Sequence, residues 1–127
     1  IENWYKIQWF LNNHNDKEKP LTKMFLDIEV DSIDIEGFPS YGDCPINAVT
    51  IVDEESMTSF TFLLRNEKNP QIKQFENNVD SVVQELNDMF EESYGKIEYR
   101  FYMYDDERDM LVDVFKLINT LKRDFLL

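Results

Sequence analysis

The chain has 127 residues, a length suited to one compact domain, and 43% of them are hydrophobic and 14% aromatic, enough apolar surface to build a core. Its 26 acidic residues against 13 basic ones leave a net charge of −13, which argues against nucleic-acid binding by the chain alone, because DNA is held chiefly through neutralised phosphates. A single cysteine, Cys44, excludes an intrachain disulfide, and no apolar run is long enough to cross a bilayer or act as a signal sequence.

Residues 2–12 place Trp4, Ile7 and Leu11 at helical spacing, although Tyr5, Ile7, Trp9 and Leu11 also fit a strand. A polar connector that includes His14 leads to a first strand, Lys23–Val30, and then to a turn-rich stretch around Gly37-Phe38-Pro39 and Gly42. Two β-rich runs, Ile46–Asp53 and 57–64, bracket Glu54-Glu55-Ser56 and predict an antiparallel hairpin. Residues 66–78 read as an irregular polar surface loop. Asp80 and Ser81 then cap a helix with the stripe Val82, Val83, Leu86, Met89 and Phe90, ended by Gly95. Residues 97–104 alternate as a fourth strand with one more polar face. Asp106 and Asp109 cap a last helix with a broad buried face of Met110, Leu111, Val114, Phe115, Leu117, Ile118 and Leu121, and residues 124–127 suit a further strand.

The stretch Phe25-Leu26-Asp27-Ile28-Glu29-Val30 carries the sharpest chemical signal. Strand alternation puts Asp27 and Glu29 on one face and Leu26, Ile28 and Val30 on the other. An apolar strand of this kind is expected to be buried, and two neighbouring buried carboxylates repel and are costly to desolvate, so a bound divalent cation or an opening into a cleft is the economical explanation. The plain alternative is chance, since D-x-E recurs in acidic chains; Asp31, Asp34, Glu36, Asp53, Glu54 and Glu55 read as solvated charges. Cys44 reads as a small packed residue beside Pro45, not a nucleophile, because the one histidine, His14, sits in a polar loop.

These residues resemble the proofreading 3′–5′ exonuclease domain of family B DNA polymerases, the phage type in particular. The likeness rests on Asp27-Ile28-Glu29, on Gly37-Phe38-Pro39, on the run Ile46–Asp53, and on Tyr104-Asp105-Asp106 followed by the helix-opening Glu107-Arg108-Asp109-Met110-Leu111. It spans residues 21–127 and leaves 1–20 as a lead-in from a preceding region. It implies an α/β fold: a partial ribonuclease H-like sheet of three antiparallel strands, a fourth strand parallel to the first and beside it, and two or three helices. It further implies two-metal phosphodiester hydrolysis by Mg2+ or Mn2+, with Asp27 bridging both ions and Glu29 holding the ion that activates the attacking water. Hard oxygen ligands suit those ions, and no cysteine or histidine cluster offers a zinc site. Phe38 would stack on the unpaired 3′-terminal bases, or else plug the loop onto the sheet.

The likeness is incomplete. That family uses four acids in three motifs, and the second and third motifs have no counterpart in these 127 residues, so the chain is expected to be inactive by itself. With Ile1 at its start, it reads as the first half of an exonuclease-like domain, cut from a longer protein or belonging to a split gene. Its partners would be the remainder of the polymerase and, through the intact enzyme, DNA; no membrane is implied, and the setting would be the cytoplasm of a phage-infected or prophage-bearing cell. A different class of function is a non-catalytic acidic interaction module, such as a DNA mimic. The charge favours it, while the scatter of the acids and the apolar setting of Asp27 and Glu29 do not.

Overall fold

The computed structural model describes residues 2–13 and 20–127. The first segment is a helix, α1 (Glu2–Asn13), whose Trp4, Tyr5, Ile7, Trp9, Phe10 and Leu11 are each more than half exposed, and it does not join the core. Next come β1 (Lys23–Val30), β2 (Ile46–Asp53) and β3 (Thr58–Leu64), an antiparallel meander. The segment expected as a loop instead forms α2 (Pro70–Asn77). Its start signals are local: Asn69 accepts a hydrogen bond from the Gln71 amide and Pro70 occupies the first turn, where its missing N–H costs nothing. The next helix, α3 (Val79–Tyr94), begins ahead of Asp80 and Ser81. Asn78 stands at its cap position without a side-chain capping bond, its side-chain amide donating instead to the Gln74 carbonyl at 2.8 Å, and Gly95 ends it at φ 79°. β4 (Glu98–Tyr104) leads to α4 (Glu107–Leu121), where the Asp106 carboxylate accepts from the Asp109 amide at 3.1 Å, the cap expected there. β5 (Phe125–Leu126) completes the order. Four helices therefore occur among the described residues, one beyond the expected two or three, and the unexpected one is α2.

The fold is α/β, an open mixed sheet in the order β4-β3-β2-β1-β5. β4 does run parallel to β1, as expected, but it does not lie beside it. It pairs in parallel with β3, from Thr58 opposite Glu98 to Leu64 opposite Tyr104, while β5 takes the place next to β1. Side chains account for this choice of edge: Phe62 stacks against Tyr102 and Tyr104 with ring centroids 5.1 and 6.2 Å apart, cross-strand aromatic contacts that β1 has no ring to supply on that face.

Directly opposed residues share a face, so the register sorts the sheet into two surfaces. One carries Met24, Leu26, Ile28, Val49, Ile51, Phe60 and Phe62 and is covered by α4 through Met110 and Val114. Phe115, expected within that buried face, stays 61% exposed, because it lies off the arc that meets the sheet. The other surface carries Phe25, Asp27 and Glu29 beside Val52, Thr50 and Ala48, and extends to Tyr99, Phe101 and Met103. α2 reaches it at Phe101, where Phe75 makes an edge-on ring contact at 5.0 Å, and α3 faces Tyr99 across a cleft lined by Val83 and Asn87. The Met89 position expected in the α3 stripe is 64% exposed. Toward β1 this second surface is uncovered, and Phe25 is left 44% exposed.

One ion pair ties the two ends of this arrangement together. Asp53, read from sequence as a solvated charge, is fully buried. Its carboxylate accepts a bidentate bond from Arg123, Nε to Oδ1 at 2.7 Å and Nη2 to Oδ2 at 2.8 Å, and further bonds from the Ser56 amide and hydroxyl. The Arg123 contact, followed by those of Ser56, holds the Asp53 carboxyl below the usual carboxylate range against the opposing effect of burial. Arg123 → Met should leave a buried carboxylate unpaired and lower stability by about 3 kcal/mol, read as a reduced urea midpoint. Because the native pKa is depressed, the stability supplied by Asp53 is present in full above the ordinary carboxylate pKa of about 4 and is lost as pH falls below it. Arg123 → Met should accordingly flatten the acid limb of the stability profile, and an unchanged acid limb would refute this account.

Candidate functional site

Asp27 and Glu29 lie on the same face of β1, as alternation requires, about 6.6 Å apart along the strand. Opposite them stand Thr50 and Ala48, and the Thr50 hydroxyl is 3.3 Å from that of Thr61. The expectation of a buried pair is not met: both carboxylates are exposed, because no helix covers the β1 side of this surface. The argument from desolvation therefore falls away. What remains is two like charges side by side, neither of them in a hydrogen bond or ion pair among the described residues.

Other acids in the neighbourhood are differently placed. Asp34 pairs with Lys68, Glu54 lies 4.0 Å from Lys23, Glu55 pairs with Arg123 at 3.2 Å, and Asp31 accepts from the Ile33 amide and from Asn66. β5 pairs with β1 only as far as Leu26, whose amide donates to the Leu127 carbonyl at 2.8 Å, so residues 27–30 have no neighbour on that edge among the described residues. On the other edge the register slips between Glu29 and Val30. They pair with Ala48 and Ile46, which leaves Asn47 as the extra residue of a bulge, and its side-chain carbonyl is buried without a partner.

The loop after β1 turns at Gly37, whose φ of 91° an L side chain rarely adopts. Phe38 beside it is completely exposed, at 101% relative accessibility, and Tyr41 likewise. The reading of Phe38 as a plug on the sheet is therefore corrected: its ring is packed against nothing. Cys44 is half-buried, and burial, followed by the nearby Asp43 and Asp31 charges, pushes its thiol pKa up, the opposite of what an activated nucleophile needs. His14 lies outside the described residues.

For Mg2+ or Mn2+ the donor chemistry of Asp27 and Glu29 is right and the donor number is not. Two carboxylates fill a minority of an octahedral shell. Among the described residues no cluster of three or more His, Cys, Asp or Glu side chains could hold an ion. The described residues therefore do not form a closed two-metal centre, and no hydrolytic step follows from them alone. Sequence reasoning missed the Asp53 and Arg123 pair and the aromatic stack of Phe62 with Tyr102 and Tyr104. The first had one legible signal, an Asp three residues before a Ser at the end of an apolar strand, which is a turn-forming pattern.

A scan against protein-family models finds no family that matches the chain, and a search of curated proteins finds no match. Among the described residues no helix is long and apolar enough to cross a membrane.

Exposure without partners sets the expected cost of substitution here. Asp27 → Asn, Glu29 → Gln and Phe38 → Ala should each change unfolding free energy by no more than about 0.5 kcal/mol, with the two acid replacements neutral or slightly stabilising because a like-charge contact is relieved. A loss above about 1.5 kcal/mol in thermal or urea unfolding of any of the three would show that the residue holds the fold.

Proposed function

We propose that the chain carries the first acidic motif of a 3′–5′ proofreading exonuclease of the phage type of family B DNA polymerase, on a partial ribonuclease H-like sheet. The observation that carries this reading is the state of Asp27 and Glu29: they share an uncovered face, and no basic residue neutralises either among the described residues. Acids that serve the fold look different here, as the buried and doubly bonded Asp53 demonstrates. The order of parts is also consistent with the reading, since the strand that bears the acids runs directly into the loop that presents Phe38 to solvent, where it is free to stack on an unpaired base.

In this reading Asp27 and Glu29 supply part of the ligand set for Mg2+ or Mn2+, and the remaining carboxylates come from polypeptide outside these residues. DNA is engaged by the intact polymerase, whose other surfaces supply the positive charge that a chain of −13 lacks. The chain by itself is inactive, and its setting is the cytoplasm of a phage-infected or prophage-bearing cell.

A manganese titration followed by NMR line broadening tests the reading. Broadening should centre on residues 27 and 29, reach half its effect at about millimolar Mn2+ or above, as suits two carboxylates and a mostly aqueous shell, and disappear in Asp27 → Ala. The same preparation should not degrade single-stranded DNA. Broadening spread over the many acids, with none specific to the pair, would overturn the assignment and place the acidic interaction module ahead of it. DNA degradation abolished by Asp27 → Ala would overturn the claim that the other ligands lie elsewhere.

A further inference from the structure

On the face of the sheet opposite Asp27 and Glu29, a cleft of about 280 Å3 opens between β3 and β4 and the flank of α4. Its floor is aromatic. Phe62 is 3% exposed and stacks nearly parallel to Tyr102 and Tyr104, with interplanar angles of 27° and 29°, while Tyr102 keeps 38% of its surface open. At its edge stands Asp113 of α4, which accepts from the Tyr104 hydroxyl at 3.0 Å and from Lys116 at 3.0 Å. Burial first, and the bond to Asp113 second, push the Tyr104 pKa up to about 12, so the phenol remains a donor, while the bonds from Lys116 and then Tyr104 hold the Asp113 carboxyl below its ordinary value. Thr120 donates its hydroxyl to the Lys116 carbonyl and keeps its oxygen as an acceptor.

We propose that this cleft is a binding site for a planar, delocalised cation, an amidinium or guanidinium group held between the open part of the Tyr102 ring and Asp113. Three observations converge on that chemistry. The partly open Tyr102 ring, backed by Phe62, offers a negative π-face to a flat cation, which gains more from it than a compact ammonium does. The fixed acceptors at the edge, Asp113 and Thr120, match N–H donors. The sheet already contains such a contact one register position away on the same face, where the Arg100 guanidinium lies 5.7 Å from the centre of the Phe60 ring.

Lys116 does not fill the role. Its side chain is 71% exposed and its bond to Asp113 is a surface ion pair between neighbours on one helix, which an incoming cation displaces at little cost. The overall charge of −13 disfavours an anionic occupant. The site is separate from Asp27 and Glu29, and its fate does not depend on the exonuclease reading.

The test is a titration of 15N-labelled protein with benzamidine, with its neutral near-isostere benzamide, and with benzoate. Benzamidine should shift the amides of Tyr102, Tyr104, Asp113 and Lys116 and bind about tenfold tighter than benzamide, the usual gain from a bond to a charged group; benzoate should leave those amides in place. Lys116 → Ala removes a competing cation and should tighten benzamidine by a few fold. Asp113 → Asn should bring the benzamidine to benzamide ratio to about one. Acetyl-arginine amide serves as the second cation: if it moves the same amides, the natural occupant is an arginine side chain, and if only benzamidine does, it is a small aryl cation. Equal binding of benzamide and benzamidine to the unaltered protein, a preference for benzoate, weakening by Lys116 → Ala, or no shift in the cleft with either cation would overturn the proposal. Lys116 is exposed enough for that variant to decide the matter even if Asp113 → Asn unfolds.

Discussion

The bidentate pair of Asp53 with Arg123 is the contact on which the rest of the sheet depends. Asp53 ends β2 and, through Ser56, shapes the turn into β3; Arg123 lies between α4 and β5. One buried carboxylate thereby couples the hairpin, the covering helix and the strand beside β1. The reciprocal bonds of Thr22 with Asp124 repeat the attachment at the surface. Removing a charge of this kind leaves its partner stranded away from water, which is why the coupling matters more than the modest net worth of an intact pair.

From that anchor follows an unequal treatment of the two sheet faces. α4 seats Met110 and Val114 on Val49, Ile51, Phe60 and Phe62, and the Glu107 carboxylate fixes the entry of the helix by accepting the Ile46 amide at 2.7 Å. On the other face α2 and α3 stay near β4, and Arg65 steadies that side by bonding both Glu76 of α2 and Asp105 after β4. The uncovered remainder is where Asp27 and Glu29 project, so their availability is a product of how the helices are distributed and not of any special feature of β1 itself.

Much of the element pattern was legible in the residues. β1 and β2 were read with their boundaries, the Gly95 stop and the Asp106 cap are local chemistry that needs no tertiary information, and alternation put Asp27 and Glu29 on one face correctly. Three other features were not legible, each because it is a property of pairs distant in sequence. Whether β1 is covered depends on where α2 and α3 return. The place of β4 depends on which edge offers rings to Tyr102 and Tyr104. The burial of Asp53 depends on an arginine 70 positions away. The helix α2 was missed for a different reason: its polar composition masked the Asn69 and Pro70 start signal, and only Ile72 and Phe75 supply its apolar side.

The pairing of β1 with β5 has a kinetic consequence. Thr22 and Asp124 are separated by 102 positions, whereas β1, β2 and β3 are joined through residues 31–45 and 54–57, so the bonds to β5 close a far longer loop than those of the meander. Such closure is entropically unfavourable until the intervening helices have condensed, and contacts of this separation slow folding as a whole. The attachment of β5, with the Arg123 guanidinium set against the carboxylate at the end of β2, therefore carries a larger closure cost than the pairing of the meander strands with one another. The costliest closure therefore lies at the same margin of the sheet that bears the unpaired acids.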